Sequence, residues 1–491
     1  MKRPSTVDLK AIAGMAMEKY GFNSRFPAAV LDEISAVRDQ VHSTGSRYRD
    51  LRHLLWSSID NIDSMDLDQL EYAEQGTDGG IHIWVAVADV DSYVPKGSQA
   101  DRYAAHNGTS VYTGIVTFPM LPDHLSKDIT SLLPDQDRLA LIAEYTVLPD
   151  GSFHPGEVYR ALVRNKAKLV YEQVGEWLEG SGPVPALIRD IQGLADQLHL
   201  QMETALRMRK ERMDQGALDL ETLEPQPVVE GESVRDLVLQ RQNMARKIIE
   251  EFMIGANRTM VSFLGNAGIP MIQRVVRVPK FWDEIVLTAE GYGEHLPKEP
   301  DAKSLAVFLK KQKEADPLRF PDLSLTVIKL LGPGEYMTLE PGTPPTGHFS
   351  MAVSDYTHGT APNRRYVDMI NQRLQKSVLD GKSSQYSVED LVGLSSWLSD
   401  REKESKKVER FMRKAAAAVL LQNRIGESFE AIVTGASAKG TYVRLFTPPA
   451  EGRIMQGEGG LRVGQKVIVR LLKTDPYNGF LDFACTGKKK E

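Results

Sequence analysis

The chain has 491 residues, too many for a single hydrophobic core, so two to four domains are expected. Its 42% hydrophobic and 26% charged residues are typical of a globular protein in water, and no stretch approaches the roughly 18 uncharged apolar residues that span a bilayer. The net charge of -6 excludes a uniformly basic surface but leaves local basic surfaces open.

Two further features predict a cytoplasmic protein. The opening residues, MKRPSTVDLKAIAG, lack the long apolar segment and the small-residue cleavage site of a secretory signal. Cys485 is the only cysteine, which excludes an internal disulfide and a cysteine-based zinc cluster and fits a reducing compartment. We therefore expect neither a disulfide-linked partner nor a membrane anchor.

The first part of the chain, residues 1–50, is predicted to be a helical module. Two short helices are expected between residues 8 and 43, and Pro27 stands in the first turn of the second helix. A helix-turn-helix-like arrangement is one alternative for this module. The apolar stripe of the second helix consists of Val30, Leu31, Ile34 and Val37.

Residues 51–424 are predicted to form a mixed α/β region. Strand-like runs such as IHIWVAVADV (81–90) and LALIAEYTVL (139–148) alternate with turn residues. A long helix is predicted from Ser233, with Asp236 completing a capping-box pair, to a stop at Gly265.

The C-terminal part combines a charged helix with short strands. The segment REKESKKVERFMRK (401–414) holds seven basic and three acidic residues, and it is either a solvated helix face or a local basic surface. The pattern of residues 425–491 predicts five short alternating strands, and such a run is typical of a small Greek-key barrel of the OB type.

The stretch SSIDNIDSMDLDQLEY (57–72) crowds four aspartates together. Like charges are costly to bring together unless water or a bound cation separates them. An EF-hand loop is excluded because Met65 occupies the sixth position, where glycine is required. Two interpretations stay open: an acidic surface loop, and a Mg²⁺ or Mn²⁺ site that holds a phosphodiester for attack by water.

The stretch YTHGTAPNRRYVDMINQRL (356–374) predicts a helix that Thr360 caps, with Pro362 in its first turn. Arg364 and Arg365 would then lie in the first turn, where the helix dipole disfavours positive charge. Either an anion bound at this terminus resolves the conflict, or both arginines bend away to surface carboxylates.

These two stretches resemble motifs of the ribonuclease II and ribonuclease R exoribonucleases, the RNB family. YTHGTAPNRRY is similar to the family's arginine motif, and IDNIDSMDLD to its Asp-rich motif. The resemblance runs from Leu51 to Leu374. Five further stretches agree in order: AVADVDSYVPKGSQADRYAAHNGTSVY (86–112), FPMLPDHLSKDITSL (118–132), AKLVYEQVGEWLEG (167–180), RKERMDQGALDL (209–220) and IIEEFMIGANR (248–258).

The resemblance implies an α+β multidomain fold. It consists of the short helical N-terminal segment, an RNB-type catalytic α/β domain over residues 51–424, and an S1 barrel of the OB type over residues 425–491. The family usually has two cold-shock domains ahead of the catalytic region, whereas here about 50 residues precede it. We therefore expect this chain to reject structured RNA less strictly than relatives with three barrels at the entrance.

The resemblance also implies roles for the aspartates. Asp60 and Asp66 match metal-binding positions, and Asp68 matches the carboxylate on which catalysis depends most strongly. Together with Gln69 they form the implied ligand set for Mg²⁺, with Mn²⁺ as the alternative cofactor.

The chain departs from the family at three positions. Gln69 offers a neutral carbonyl where the family has a carboxylate, so one metal ligand is weaker unless Asp63 or Glu71 takes its place. In the arginine motif, Ala361 and Asn363 replace serine and isoleucine.

The resemblance assigns RNA contacts as well. Tyr112 matches the aromatic residue that stacks on the terminal base, Glu251 the glutamate near the last nucleotide, and Arg364 the arginine that stabilises charge at the phosphate. Arg365, beside it, is also expected to bind RNA. The alternatives are a half-buried strand tyrosine for Tyr112 and a helix surface charge for Glu251.

The predicted barrel supplies further candidates for RNA contact. In TYVRLF (441–446), strand alternation leaves Tyr442, Arg444 and Phe446 on the outer face. Aromatic and guanidinium groups on one face suit base stacking and phosphate attraction. An ordinary amphipathic strand is the alternative.

The implied activity is processive hydrolysis of single-stranded RNA from its 3′ end, with release of nucleoside 5′-monophosphates, by a monomer. The alternative is an RNA-binding protein of the same fold whose altered site cuts weakly or not at all. Asp60, Asp66, Asp68 and Arg364 favour the enzyme, because metal-assisted phosphodiester hydrolysis needs carboxylates and a positioned cation.

Overall fold

The computed structural model describes residues 7–41, 47–221, 225–230, 233–239, 242–317, 319–437 and 440–488. Within these ranges, no helix is long and apolar enough to cross a membrane. The helices are α1 (Leu9–Lys19), α2 (Ala28–Ser35), α3 (Gln99–Asn107), α4 (Tyr171–Leu178), α5 (Ala186–Asp190), α6 (Leu194–Asp214), α7 (Met244–Asn266), α8 (Trp282–Gly291), α9 (Ala302–Ala315), α10 (Phe320–Leu331), α11 (Tyr366–Leu379) and α12 (Val388–Leu421).

The strands follow the chain in the same order. They are β1 (Arg49–Asp50), β2 (Ser57–Asp60), β3 (Gln69–Gln75), β4 (Ile81–Ala88), β5 (Val111–Tyr112), β6 (Thr117–Phe118), β7 (Asp137–Val147), β8 (Phe153–Arg164), β9 (Ala167–Val170), β10 (Pro225–Glu230), β11 (Ser233–Leu239), β12 (Met271–Val275), β13 (Glu335–Leu339), β14 (Ser428–Ser437), β15 (Gly440–Leu445), β16 (Glu451–Gln456), β17 (Lys466–Asp475) and β18 (Phe480–Lys488).

The central sheet of the catalytic region has the strand order β1-β8-β7-β4-β3-β2-β9. The β1–β8 and β2–β9 pairs are parallel, and the other pairs are antiparallel. Ile83 and Val85 of β4 face a core that α6 and α7 share, whereas Ala86 and Ala88 face a second core with α2, α3 and α11. The strand is apolar on both faces because helices cover both.

The long helix begins later than the sequence predicted. Residues from Ser233 to Leu239 form β11, which pairs antiparallel with β10, and α7 begins only at Met244. The side chain of Asn243 caps α7 by accepting a hydrogen bond from the Arg246 N–H at 3.0 Å. The β10–β11 hairpin buries Val234 in a core with α1 and α12. This burial favours the hairpin over an N-terminal extension of α7.

The two N-terminal helices pack on the catalytic region. Ile12 and Met17 of α1 share an apolar core with α12. Val30 and Ile34 of α2 are buried in the core that contains α3, which confirms these two residues of the predicted apolar stripe. Leu31 is 48% exposed, so its assignment to the stripe was wrong. The placement of the domain boundary at residue 50 stays a prediction.

The C-terminal strands form a closed barrel, as predicted, with the strand order β14-β15-β16-β18-β17. Ala417, Ala418 and Leu421, at the end of α12, are buried in the barrel's apolar core. The middle of the same helix packs on α1 through Val408 and Met412. Helix α12 therefore connects the barrel with the catalytic region.

Candidate active site

The Asp-rich stretch forms the loop between β2 and β3. β2 ends at Asp60, whose Oδ2 atom is buried without a hydrogen-bond partner. Burial raises the pKa of Asp60 to about 7; the charges of Arg364 and Lys168 oppose this rise and that of Asp66 adds to it. A buried carboxylate oxygen without a partner is costly, so Asp60 is a donor that a cation would stabilise.

Two side chains fix the backbone of this loop. The Lys168 Nζ atom donates to the carbonyl oxygens of Ile62, at 3.0 Å, and of Ser64. The Ser131 hydroxyl donates to the Met65 carbonyl oxygen at 2.6 Å. The orientation of the aspartates therefore depends on residues of β9 and of the segment that precedes β7.

Asp68 links the loop to the arginine motif. Its Oδ1 accepts a hydrogen bond from the Asn363 N–H at 2.9 Å, and its Oδ2 accepts one from Arg364 Nε at 3.1 Å. Burial raises the pKa of Asp68 to about 7, against the opposing effect of the Arg364 charge. The fold thus pairs a nearly buried carboxylate with an arginine side chain that stays 43% exposed.

The predicted helix start in the arginine motif is wrong. Helix α11 begins only at Tyr366, and Arg365 at its N-cap has extended backbone angles, φ -135° and ψ 123°. Arg364 lies in the turn before the helix, so the expected conflict with the helix dipole does not arise. The first-turn residue Asp368 closes this turn, because its Oδ1 accepts from the Ala361 N–H at 2.7 Å and from Arg365 Nη2 at 2.8 Å.

Both arginines pair with carboxylates, which is the second interpretation of the sequence. The carboxylates are buried, however, rather than on the surface: Asp68 for Arg364 and Asp368 for Arg365. Asn363, which departs from the family motif, also supports the turn, because its Oδ1 accepts a hydrogen bond from the Thr130 hydroxyl at 2.6 Å.

Tyr112 belongs to strand β5 and lies beside the aspartates, whereas stacking of its ring on a terminal base stays a prediction. Its hydroxyl donates to Asp66 Oδ2 at 2.9 Å, and its side chain is 40% exposed. The two residues Thr109 and Ser110, shortly before Tyr112, fix the turn that contains Arg364. The Ser110 N–H and the Thr109 hydroxyl both donate to the Arg364 carbonyl oxygen, at 2.9 and 3.1 Å. The structure therefore brings together Asp60, Asp66, Asp68, Tyr112 and Arg364.

The residues fit a divalent cation only in part. Gln69 and Glu71 are buried on the same face of β3, and both Glu71 carboxylate oxygens have no hydrogen-bond partner. Burial, with the Asp60 charge, raises the pKa of Glu71 well above its usual value. Asp63, the other candidate replacement, is exposed.

No group of three or more histidine, cysteine, aspartate or glutamate side chains in the described ranges is arranged to hold a metal ion. The unpaired Asp60 oxygen nevertheless suits Mg²⁺, which is commonly bound through one or two carboxylates together with water and substrate phosphates. The donor set therefore fits an ion shared with a phosphate rather than one enclosed by protein ligands.

Glu251 is buried in α7 rather than exposed on the helix surface, so the surface-charge alternative is wrong. Its carboxylate accepts two hydrogen bonds from Arg212 of α6, one at 2.9 Å from Nε and one at 2.5 Å from Nη2. Such a bidentate pair fixes both side chains. Contact between Glu251 and RNA stays a prediction.

Tyr442, Arg444 and Phe446 point away from the barrel core, which Val443 and Leu445 fill, as strand alternation predicted. Tyr442 and Phe446 are 40% and 39% exposed. Arg444 is only 7% exposed, because its Nη1 atom forms an ion pair with Asp322 of α10 at 3.0 Å. Contact between these three residues and RNA stays a prediction.

Sequence reasoning missed three supporting residues: Lys168, Ser131 and Asp368. Lys168 and Ser131 lie in stretches that resemble family motifs, and Asp368 follows the arginine motif by two residues, so that resemblance was the available signal. Spacing does not show which polar side chain of a motif turns toward a distant loop. Their roles became visible only through the hydrogen bonds of the folded chain.

Comparisons with known proteins agree with this fold. Residues 48–381 match the model of the RNB domain, and residues 427–486 match that of the RNase II-type exonuclease C-terminal S1 domain. Ribonuclease R of Thermotoga maritima is 31% identical, over 86% of this chain and 59% of its own length. The chain spans about three fifths of the length of the first curated relatives it matches.

Two solved structures share the fold. Mycoplasma genitalium RNase R matches 97% of this chain and 78% of its own with a TM-score of 0.86 and 22% identity. Yeast Ssd1 matches 96% of this chain and 59% of its own with a TM-score of 0.69 and 16% identity. Because the RNB model covers more than half of the sequence, the chain belongs to the RNB-domain family.

Proposed function

We propose that this chain is a hydrolytic exoribonuclease that shortens single-stranded RNA from its 3′ end and releases nucleoside 5′-monophosphates. The Asp68–Arg364 pair supports this most strongly, because a buried carboxylate holds in place a guanidinium that solvent can still reach. A positioned guanidinium next to a group of carboxylates suits a phosphodiester substrate. Relatives are named Ribonuclease R, and structures of the Mycoplasma genitalium enzyme contain single-stranded or double-stranded RNA.

Each side chain has a separate role in the proposal. Arg364 donates hydrogen bonds to the scissile phosphate and stabilises the negative charge that grows there during attack by water. Asp68 orients Arg364 and keeps it from turning into solvent. Tyr112 stacks on the terminal base, a contact that an unpaired base can make and a base inside a duplex cannot.

The cofactor in this proposal is a divalent metal ion, Mg²⁺ or Mn²⁺, in keeping with the general metal dependence of RNB ribonucleases. Asp60 and Asp66 would hold it, and Glu71, whose charge interacts with that of Asp60, or Gln69 on the same face of β3 would complete the set of donors. When bound, such an ion lowers the pKa of water and neutralises charge on a phosphate. Lys168 keeps the loop in the shape that presents these carboxylates.

The second candidate function is RNA binding without cleavage. Gln69 favours it, since a neutral ligand weakens a metal site, and yeast Ssd1, which shares the fold, is described as a pseudonuclease. Asp60, Asp66, Asp68 and Arg364 are all present and assembled, which favours the enzyme. We place the enzyme in the cytoplasm as a monomer with single-stranded RNA as its partner.

The test compares linear and circular RNA of the same sequence, with Mg²⁺ or Mn²⁺. The exoribonuclease consumes the linear RNA and leaves the circle intact, because a circle has no 3′ end, and chromatography identifies the products as nucleoside 5′-monophosphates. Cutting of the circle, or release of 3′-monophosphates, would overturn the proposal. Tight binding without products in either metal would support the second candidate.

A further inference from the structure

The connection between α1 and α2 is fixed on the end of α3. The Asn23 N–H donates a hydrogen bond to Asn107 Oδ1 at 3.0 Å, and Asn107 Nδ2 donates to the Asn23 carbonyl oxygen at 3.1 Å. The Tyr103 hydroxyl donates to the same carbonyl oxygen at 3.0 Å. Asn107 is 1% exposed, so this contact is shielded from water. The N-terminal module therefore meets the catalytic region through a backbone contact that three hydrogen bonds hold.

Arg401 of α12 holds the same connection from another side. Its Nη1 atom donates to the carbonyl oxygens of Tyr20, at 3.3 Å, and of Gly21, at 3.0 Å. Its guanidinium carbon lies 4.9 Å from the centre of the Phe22 ring and 4.5 Å from that of the Trp397 ring. An aromatic ring attracts a cation that lies over its face. Residues 20–23, which we call the anchor segment, are thus held by both α3 and α12.

Gly108 connects these contacts with the active site. It caps the C-terminus of α3 with a φ of 70°, a left-handed conformation that favours glycine. A Cβ atom there would lie 2.9 Å from the Arg401 Cβ atom, so the end of α3 lies directly on α12. The Gly108 carbonyl oxygen accepts a hydrogen bond at 2.9 Å from the N–H of Tyr366, the first residue of α11. The end of α3 therefore contacts both α12 and the start of α11.

The residues that follow Gly108 border the active site. Thr109 and Ser110 both donate to the carbonyl oxygen of Arg364. Tyr112 follows two residues later, with its hydroxyl on the aspartate loop. All five residues line one cavity of about 190 Å³. The placement of this short segment therefore determines where Tyr112 and the turn of Arg364 lie.

We propose that the anchor segment of the N-terminal module positions Arg364 and Tyr112 for the reaction, through Asn107 and Gly108. This inference rests on the proposed function. A small displacement of a group that contacts the reacting atoms slows catalysis strongly, so a remote anchor affects kcat. Asn107 and Arg401 are positioning residues in this proposal, because their hydrogen bonds go to the anchor segment. The competing outcome is a module that captures RNA.

Two variants loosen the anchor segment from different sides. Asn107→Ala removes both hydrogen bonds between Asn107 and Asn23. Arg401→Met removes the donor to two carbonyl oxygens of the anchor segment and keeps the side-chain stem against Gly108. In each variant, kcat on single-stranded RNA should fall about tenfold with little change in KM. Arg401→Lys keeps a donor and should restore part of kcat.

Glu33→Ala is the matched control. Glu33 of α2 accepts hydrogen bonds from the N–H groups of Gln99 at 2.8 Å and Ala100 at 3.0 Å, so it joins the same module to the other end of α3. The control should keep kcat and KM, and thermal unfolding shows which variants fold. If Asn107→Ala does not fold, Arg401→Met decides alone. An equal fall of kcat in the control, or a rise of KM at unchanged kcat in the anchor variants, would overturn the proposal.

A chemical measurement separates this inference from the proposed function, because it needs no cleavage. Phenylglyoxal modifies arginine side chains, and mass spectrometry follows each site. Arg364 is 43% exposed at its side chain, and the reference is Arg49, which is 55% exposed and pairs with Glu157 at 2.8 Å. In both anchor variants the rate at Arg364 should rise about threefold or more relative to Arg49, because a looser turn releases the guanidinium from Asp68 more often.

The outcomes of this measurement are distinct. Unchanged modification of Arg364 in both anchor variants, or an equal rise in Glu33→Ala, would overturn the role of the anchor segment. Absence of cleavage by the unmodified protein would overturn only the proposed function, since the modification rates still report whether the anchor segment holds Arg364.

Discussion

Two buried aspartates of the site have different partners. Asp68 is satisfied by Asn363 and Arg364, whereas Asp60 keeps one oxygen without a partner. Burial raises the pKa of each to about 7. In the proposed metal site, this difference makes Asp60 the residue at which metal and protons would compete most directly.

The first prediction concerns the pH dependence of stability without metal. An unfolded aspartate titrates near 4, so between pH of about 4 and 7 the folded state holds a proton on Asp60 that the unfolded state has released. The free energy of unfolding therefore decreases as pH rises through this window. Asp60→Asn should flatten that part of the curve, which thermal unfolding at several pH values measures.

The same variant tests the metal site without an activity assay. At pH 8, Mg²⁺ or Mn²⁺ should raise the melting temperature of the unmodified protein, because an ion that binds only the folded state stabilises it. The rise should be smaller in Asp60→Asn. An equal rise in both proteins would show that Asp60 is not a ligand.

At the scale of elements, local periodicity predicted the strands of the sheet, the barrel and the two N-terminal helices. It failed at the starts of α7 and α11, because a capping residue fits several local structures and distant packing selects among them. The Asp68–Arg364 contact spans 296 positions, so spacing could not reveal it. Only the resemblance to family motifs predicted that these residues act together.

The loop that carries the aspartates gives the second prediction. Lys168→Met removes the donor to the Ile62 and Ser64 carbonyl oxygens, so the loop loses its fixed shape. We expect kcat to fall about tenfold or more with little change in KM, because misplaced carboxylates slow the chemical step and leave the binding of RNA unchanged. Lys168→Arg should restore part of kcat. Equal changes in KM and kcat, or no rescue, would contradict a positioning role.

The third prediction concerns the support of α11. Arg373 is fully buried, with Nε 2.7 Å from Asp91 and Nη2 2.8 Å from Asp101. Arg373→Met removes the cation that Asp91 and Asp101 share, although Lys376 stays 3.0 Å from Asp91 and the Tyr366 hydroxyl still donates to Asp101. This loss should lower the free energy of unfolding by about 3–5 kcal/mol, measured by urea unfolding.

Lys382→Met is the control for that prediction. Lys382 follows α11, is 74% exposed at its side chain and lies 3.8 Å from Asp380. Loss of this surface pair should change stability by less than about 0.5 kcal/mol. If both variants are equally stable, the buried network does not hold α11.

At the scale of the whole molecule, helix α12 joins two parts of the described chain. Its middle packs on α1 through Val408 and Met412, and its end is buried in the apolar core of the barrel through Ala417, Ala418 and Leu421.

The measurement that tests the central claim most directly follows 5′-labelled single-stranded RNA with Mg²⁺ or Mn²⁺, using the unmodified protein and Asp68→Asn. Asparagine keeps the size of the side chain and removes the charge that holds Arg364. We predict a ladder that shortens from the 3′ end and slows by about 100-fold or more in the variant. RNA binding without shortening in either metal, or equal rates for the two proteins, would contradict the claim.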